Sequence, residues 1–126
     1  MIEAVQQEVA RCLPLTVKAI DWQDPVLVLS GKEWNLTCSC AWRVSTNGAV
    51  RYGCWDKEAG ERILDLIGVE FLGVEQQATA VPVDLAFLLS DGGRLELFST
   101  DTTEPWVLRL PTGDVLVASP SDPDAF

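Results

Sequence analysis

The stretch VLVLSGKEWNLTCSCAWRVSTNGAVRYGC, residues 26–54, carries the clearest structural pattern in the chain. Apolar and polar side chains alternate along most of it, which is the period of two expected of a β-strand with one buried face. Two segments with turn composition, Gly31-Lys32 and Thr46-Asn47-Gly48, divide the stretch into three runs. The stretch therefore predicts an antiparallel meander whose apolar side chains share one face.

The first turn also predicts a register. Gly31 and Lys32 have the Gly-X composition of a two-residue type II′ loop. Such a loop pairs Ser30 with Glu33 and sets Leu29 opposite Trp34. The apolar face then continues along the next run through the following set: Leu36, Cys38, Cys40, Trp42 and Val44.

The second turn fits a three-residue loop, a type I turn followed by Gly48 in the left-handed conformation. This loop sets Trp42 opposite Tyr52 and Cys40 opposite Cys54. A two-residue loop would instead bring an arginine opposite an apolar residue. We therefore expect the three-residue register, because it keeps one face apolar.

Regions on either side of this stretch predict two helices and further strands. Ile2, Val5, Val9 and Cys12 are spaced as on an amphipathic helix over residues 2–12 that ends before Pro14. A second helix is expected over residues 57–67, capped by Asp56 and stopped by Gly68. Strands are expected at 15–20, 69–75, 83–89, 94–99, 106–110 and 114–118, with a turn at 21–25 and with Leu89 facing Leu95.

The fold class that follows is α+β: a mainly antiparallel sheet covered by an N-terminal helix and one central helix. Residues 1–118 form one predicted domain, and the acidic segment 119–126 lacks an apolar period, so it is expected to be a flexible tail. Residues 15–55 and 69–118 also resemble each other in the order of hairpin, tryptophan and Gly-containing turn. They are therefore candidates for two repeated β units.

Four segments also resemble a known family. They are Leu-Ser-Asp-Gly-Gly-x-Leu-Glu-Leu-Phe at 89–98, Pro-Trp-x-Leu at 105–108, Trp-Asn-Leu at 34–36 and Ala-Trp-Arg-Val at 41–44. Their spacing over residues 27–116 resembles that of a family of small, uncharacterised bacterial proteins rich in β-structure. The resemblance implies a bacterial, β-rich protein and brings no activity with it.

Composition excludes several classes of site. The 126 residues include no histidine, which excludes imidazole bases and histidine metal ligands. Nine basic and 19 acidic residues give a net charge of −10, which disfavours nucleic acid and anionic membranes and favours a basic protein partner. The N-terminus has no signal-peptide pattern and no segment has the length of a membrane span, so the expected location is the cytoplasm.

The four cysteines allow three interpretations. Cys12, Cys38, Cys40 and Cys54 could hold zinc, but Cys38 and Cys40 lie in a strand whose alternation already explains them. A Cys40–Cys54 disulfide is conceivable across the hairpin in an oxidising compartment. We expect reduced, buried thiols, no nucleophilic cysteine and no metal or other cofactor.

Tryptophan and carboxylate positions supply the candidate binding residues. Trp22 and Trp55 stand beside aspartates and outside the regular apolar faces, so they are candidate partner-binding residues, although both could instead pack against the core. Asp91, Asp101 and Glu104 lie in predicted loops and join them as acidic candidates, with turn chemistry as the alternative explanation. The candidate lining of an internal pocket is Trp42, Tyr52 and Trp106.

These observations favour a non-enzymatic, acidic protein-binding module, such as an immunity-type partner of a basic toxin. One alternative is a β domain that binds a small molecule in an apolar cavity. Another is an enzyme that depends on two carboxylates in one cleft. Self-association through exposed strand edges would make the protein a homo-oligomer.

Overall fold

The computed structural model describes residues 2–78, 81, 83–99 and 104–118. The chain begins with helix α1 (Ile2–Ala10) and later forms a short helix, α2 (Ala59–Arg62), that continues as a 3₁₀ turn over Ile63–Leu66. The strands are β1 (Leu15–Thr16), β2 (Ala19–Gln23), β3 (Val26–Gly31), β4 (Trp34–Cys38), β5 (Ala41–Thr46), β6 (Ala49–Gly53), β7 (Glu70–Gln76), β8 (Leu85–Leu89), β9 (Gly93–Phe98), β10 (Trp106–Arg109) and β11 (Val115–Val117). The predicted α+β class is confirmed.

The strands form two antiparallel sheets that share one hydrophobic core. The six-stranded sheet has the order β1-β7-β8-β9-β5-β6, and the five-stranded sheet has the order β11-β10-β4-β3-β2. After β4 the chain crosses to the other sheet, where β5 pairs with β9. After β9 it crosses back, and β10 pairs with β4.

Because of these two crossovers, both halves of the chain have the same strand order. Three consecutive strands lie side by side in one sheet, and the next two extend the opposite sheet. Each set of three strands is therefore extended by two strands from the other half of the chain. The duplication of residues 15–55 and 69–118 stays a prediction, and the tail at 119–126 lies outside the described residues.

The first hairpin has the predicted apolar face in a different register. Leu29 lies opposite Leu36, and Gly31 pairs with Trp34, so the turn is made by Lys32 and Glu33. Gly31 is a strand residue because the Trp34 indole passes over it and donates a hydrogen bond to the carbonyl of Thr16, 3.2 Å away. A Cβ at position 31 would overlap both the indole and that carbonyl. The predicted pairing of Leu29 with Trp34 is wrong.

The second hairpin turns through two residues. Asn47 and Gly48 both have positive φ, as a type I′ turn requires, and Thr46 pairs with Ala49. A β-bulge between Val44 and Ser45 then shifts the register, so that Val44 faces Tyr52. The bulge restores the apolar face that the three-residue loop was expected to preserve. The predicted pairing of Trp42 with Tyr52 is wrong.

Three other local expectations also change. Phe87, and not Leu89, lies opposite Leu95, because the turn between β8 and β9 is centred one residue earlier in the chain than predicted. The predicted turn at 21–25 is shorter, since β2 extends to Gln23. Asp56 does not cap α2; its carboxylate accepts a hydrogen bond from the backbone N–H of Gly53 at 2.9 Å.

Helix α1 closes one side of the core and brings two acids together. Its Glu8 carboxyl shares a hydrogen bond with Asp114, and this contact raises the pKa of Glu8. Arg11 acts in the opposite direction, with Nη1 3.7 Å from Glu8 Oε1. Because a raised pKa means that the folded state holds the proton more tightly, this pair contributes stability at low pH that is lost as the pH rises through the raised pKa.

Glu8→Gln should remove that pH dependence. Glutamine can donate a hydrogen bond to the Asp114 carboxylate without losing a proton. We expect the variant to gain stability relative to the native chain at pH 7 and to lose the advantage near pH 4. Urea denaturation of both proteins at the two pH values measures this difference. An equal difference at both values would contradict the shared proton.

Candidate functional site

Segments far apart in sequence meet at one end of the molecule. The β2–β3 turn, the β4–β5 crossover and Cys54 line a cleft of about 210 Å³. The start of β10 adjoins it, since Ser39 N–H donates to the carbonyl of Pro105 at 2.8 Å. The lining residues of this Trp22 cleft are Trp22, Asp24, Pro25, Ser39, Cys40, Ala41 and Cys54.

Trp22 joins the cleft to the core. Its ring meets Trp42 edge-on, with centroids 5.3 Å apart and an interplanar angle of 89°. Gly60 of α2 lies so close that a Cβ there would be 3.3 Å from Trp22 Cδ1. Trp22 is half-buried, and its position is fixed by packing on both sides. Asp24 is exposed beside it, and no described residue forms an ion pair with Asp24.

Trp55 is the most exposed of the described large apolar residues, at 62% of its surface. Its ring lies over Gly53, where a Cβ would overlap three of the ring carbons. The turn beneath it is closed from both sides: Asp56 N–H donates to the Gly53 carbonyl at 3.0 Å, and the Asp56 carboxylate accepts from Gly53 N–H. The indole is therefore displayed on an ordered turn and not on a free loop.

Carboxylates predominate around this tryptophan. Asp56, Glu58 and Glu61 follow it in the chain, with Lys57 and Arg62 as the basic residues of the same segment. The Arg62 guanidinium lies over the Tyr52 ring, 4.8 Å from its centroid, which engages one of these two cations within the protein. The segment thus presents more negative than positive charge next to the exposed indole.

Two further acids lie at the same end. Glu104 is exposed and directly precedes Pro105, whose carbonyl is bonded to Ser39. Asp84 accepts a hydrogen bond from Ser99 N–H at 2.7 Å, and burial raises the pKa of this carboxyl. We call this end, with the Trp22 cleft and Trp55, the acidic end.

The structure places three of the five predicted partner-binding residues at the acidic end. These are Trp22, Trp55 and Glu104. Asp91 lies in the β8–β9 turn at the far end of the six-stranded sheet, where its carboxylate accepts from Gly93 N–H at 2.8 Å and is 3.8 Å from Arg51. Asp101 lies outside the described residues.

Trp42, Tyr52 and Trp106, the predicted pocket lining, are core residues in the structure. Each is at most 1% exposed, and none lines the Trp22 cleft. Another cleft, of about 390 Å³, lies toward the opposite end and is lined by other residues, among them Lys18, Lys32 and Trp34. The three aromatic rings therefore fill the interior space that the small-molecule alternative would need for a cavity.

Tyr52 brings a polar group into this aromatic core. Its hydroxyl is buried without a hydrogen-bond partner among the described residues, and burial raises its pKa to about 12. Because an unpaired buried hydroxyl is unfavourable, Tyr52→Phe should raise the free energy of unfolding by about 1 kcal/mol. Urea denaturation at pH 7 tests this. A loss of stability of that size would mean that the hydroxyl is paired, for example with water.

Two of the cysteines lie at the Trp22 cleft, which their positions in the sequence do not indicate. Cys40 and Cys54 line the Trp22 cleft, and Cys38 is fully buried beside Cys40. All four cysteines are free thiols. Within the described ranges, no three His, Cys, Asp or Glu side chains are grouped closely enough to hold a metal ion. Alternation explained Cys38 and Cys40 as core residues, and only the crossover at Ser39 brings one of them to a cleft.

No family model, curated protein or solved structure matches this chain. The resemblance to small bacterial β-rich proteins therefore stays a prediction. Among the described residues, no helix has the length and apolar character needed to cross a membrane. The acidic end itself is therefore the main structural indication of function.

Proposed function

We propose that this chain is a non-enzymatic binding module for a basic protein, which docks on the acidic end. The observation that carries the proposal is the exposure of Trp55. This large apolar side chain lies in solvent on a hydrogen-bonded turn, among carboxylates. Tryptophan is enriched among residues that dominate binding energy, and a fixed side chain loses little entropy when it is covered. An immunity-type partner of a cationic toxin is one form that this function would take.

Charge supports the choice of partner. The chain carries −10 overall, and Asp24, Glu58 and Glu104 are exposed at the acidic end with no ion pair among the described residues. Their field would attract a basic surface and accelerate its encounter with this end. Trp55, once buried at the interface, would slow release. Cytoplasmic location and a bacterial source belong to the same proposal.

The two alternatives have less support. A small-molecule site in the sheet interior would need the space that Trp42, Tyr52 and Trp106 occupy. A carboxylate enzyme would need two acids that converge in a cleft. Asp56 and Glu58 do line a cleft of about 290 Å³, but Lys57 and Arg62 line it as well, and the Asp56 carboxylate is bonded to Gly53 N–H. We therefore favour protein binding.

Charge reversal at matched positions tests the proposal. The site variant carries Glu58→Lys and Glu104→Lys, and the control carries Glu33→Lys and Glu70→Lys toward the other end of the sheets. Each pair of changes moves the net charge from −10 to −6, since every Glu→Lys change adds two charges. Only the location of the added charge differs between the two variants.

The measurement begins with capture of partners from the source cell at low and high salt. A retained basic polypeptide is then purified and titrated against each variant. We expect association to slow by about tenfold for the site variant and by less than about twofold for the control, because local charge steers encounter. Equal losses for both variants, or a retained partner that is acidic, would contradict the proposal.

A further inference from the structure

A cleft lined by two lysines lies at the end of the sheets opposite the acidic end. It has a volume of about 390 Å³, and strand β3 leads to it from the Trp22 cleft, since Pro25 precedes this strand and Lys32 follows it. Lys18 and Lys32 are two of the three lysines in the chain, and Glu33 is the carboxylate among the described lining residues. This lysine cleft therefore brings positive side chains together on a chain whose net charge is −10.

Backbone hydrogen bonds hold the two lysines on adjacent segments. The N–H of Lys18 donates to the carbonyl of Ser30 at 2.8 Å, and Lys32 follows two residues later in the β3–β4 turn. Trp34 also lines the cleft, but its indole N–H already donates to the carbonyl of Thr16 at 3.2 Å. The two ammonium groups are therefore the charged donors that the cleft offers to a ligand.

Neither lysine is neutralised within the described part of the chain. Ion pairs with carboxylates engage four of the arginines, Arg11, Arg43, Arg51 and Arg94. Lys18 and Lys32 form no ion pair with a described residue, although Glu33 lines the same cleft and acidic residues outnumber basic ones by 19 to 9. Two unpaired ammonium groups at one cleft attract an anion.

The rest of the cleft wall is partly apolar. Pro14 and Pro111 are exposed there, and Leu15 and Trp34 reach it from the core, where they are 2% and 4% exposed. Small-molecule sites typically combine apolar walls with a few charged groups that orient the ligand. This combination favours an apolar ring that carries negative charge.

We propose that the lysine cleft binds small aromatic dianions, such as an aryl phosphate or an aromatic dicarboxylate. The ring packs against the prolines and Trp34, and the anionic oxygens accept hydrogen bonds from the ammonium groups of Lys18 and Lys32. Two ammonium groups favour a dianion over a monoanion, while the carboxylate of Glu33 reduces this preference.

The negative charge of the acidic end does not prevent anion binding at this distance. Strand β3 runs from Val26, next to the Trp22 cleft, to Gly31, next to the lysine cleft. Its five residue steps span about 17 Å, since a strand rises about 3.4 Å per residue. Salt at physiological ionic strength screens exposed charges over about 8 Å, so the two ends act nearly independently.

Titrations followed by heteronuclear NMR at pH 7 test the proposal. The probes are phenyl phosphate and isophthalate, which are dianions, with benzoate as a monoanion and benzylammonium as a cation. We expect saturable shifts of the Lys18, Lys32 and Trp34 amides with at least one dianion, with a dissociation constant below about 5 mM. Benzoate should bind at least about threefold more weakly. The tighter of the two dianions shows whether the cleft prefers a phosphoryl or a carboxylate group.

Four single variants separate a site from a general effect of net charge. Lys18→Gln and Lys32→Gln should each weaken dianion binding by about threefold to fivefold, the range of an exposed ion pair. Lys57→Gln is the matched control, because it removes the third lysine from a different cleft and should change the affinity by less than about 1.5-fold. Glu33→Gln should strengthen binding by about twofold, since it removes the carboxylate of the lysine cleft.

Three results would overturn the proposal. They are equal losses in all three lysine variants, benzylammonium binding as tight as that of the dianions, and dianion shifts that never saturate or that lie away from the lysine cleft. No protein partner takes part in these titrations, so their outcome is independent of the proposed binding function.

Discussion

Trp106→Ala is expected to lower the free energy of unfolding by about 3 to 5 kcal/mol, the range found when a buried tryptophan or phenylalanine is reduced to alanine. Trp106 is 1% exposed and lies in β10, the strand that returns from the six-stranded sheet to pair with β4. Its indole N–H donates to the Val83 carbonyl at 2.8 Å, so the variant would also leave that buried carbonyl without this partner. Both losses weaken the attachment of β10, the strand through which the second half of the chain joins the five-stranded sheet.

Urea denaturation followed by circular dichroism measures this change. The matched control is Trp55→Ala, which removes the same side chain from a site that is 62% exposed. We expect the control to shift the free energy of unfolding by no more than about 0.5 kcal/mol. A loss in Trp106→Ala as small as that expected for the control would show that the pairing of β10 with β4 does not depend on the buried tryptophan.

The second large effect concerns binding. Trp55→Ala should weaken the affinity for the basic partner by about 2 kcal/mol or more, which is roughly 30-fold at 25 °C. The physical reason is that the indole is already fixed over Gly53 and needs little ordering when the partner covers it. Most of the loss should be in the dissociation rate.

Gly53→Ala tests whether the fixed position of the Trp55 ring is the cause of this affinity. It keeps the tryptophan but pushes the far end of the ring from its place, since a Cβ at position 53 would overlap ring atoms of Trp55. Titration calorimetry with the purified partner should show a loss of affinity between those of the native chain and Trp55→Ala. Native affinity in Gly53→Ala would mean that the position of the ring is unimportant.

Alternation predicted the faces of the strands but not their partners. Leu27, Leu29, Leu36 and Val44 are all buried, because each run keeps its period of two wherever it pairs. The crossover at Ser39, which sends β5 into the other sheet, leaves that period unbroken. A continuous apolar face is therefore compatible with one sheet or with two, and the pattern alone cannot distinguish them.

Turn composition located the hairpins but gave the wrong registers. Gly31 has the composition of a turn residue, yet a long-range contact requires it: the Trp34 indole crosses it to reach the Thr16 carbonyl. In the second hairpin the bulge at Val44 and Ser45 restores the apolar face after a two-residue turn. Neither a contact across 18 residues nor a bulge can be inferred from the turn sequence itself.

The acidic end was predictable only in part. Trp22 and Trp55 stood out because they interrupt the apolar alternation, and the negative charge was evident from composition. That Asp24, Cys40 and Cys54 meet in one cleft depends on the crossover and on the β2–β3 turn, which bring residues together from separate strands. The spacing of these residues along the chain cannot predict that they lie close together in space.

Amide hydrogen exchange on the complex with the captured basic partner tests whether that partner docks on the acidic end. If the partner docks on the acidic end, the backbone amides of residues 53–58 and of Ser39 should exchange more slowly in the complex than in the free chain. The turns at Asn47-Gly48 and at Asp91, at the far end of the six-stranded sheet, should exchange at unchanged rates. Slower exchange at those two turns, with residues 53–58 unaffected, would place the partner elsewhere and contradict the account.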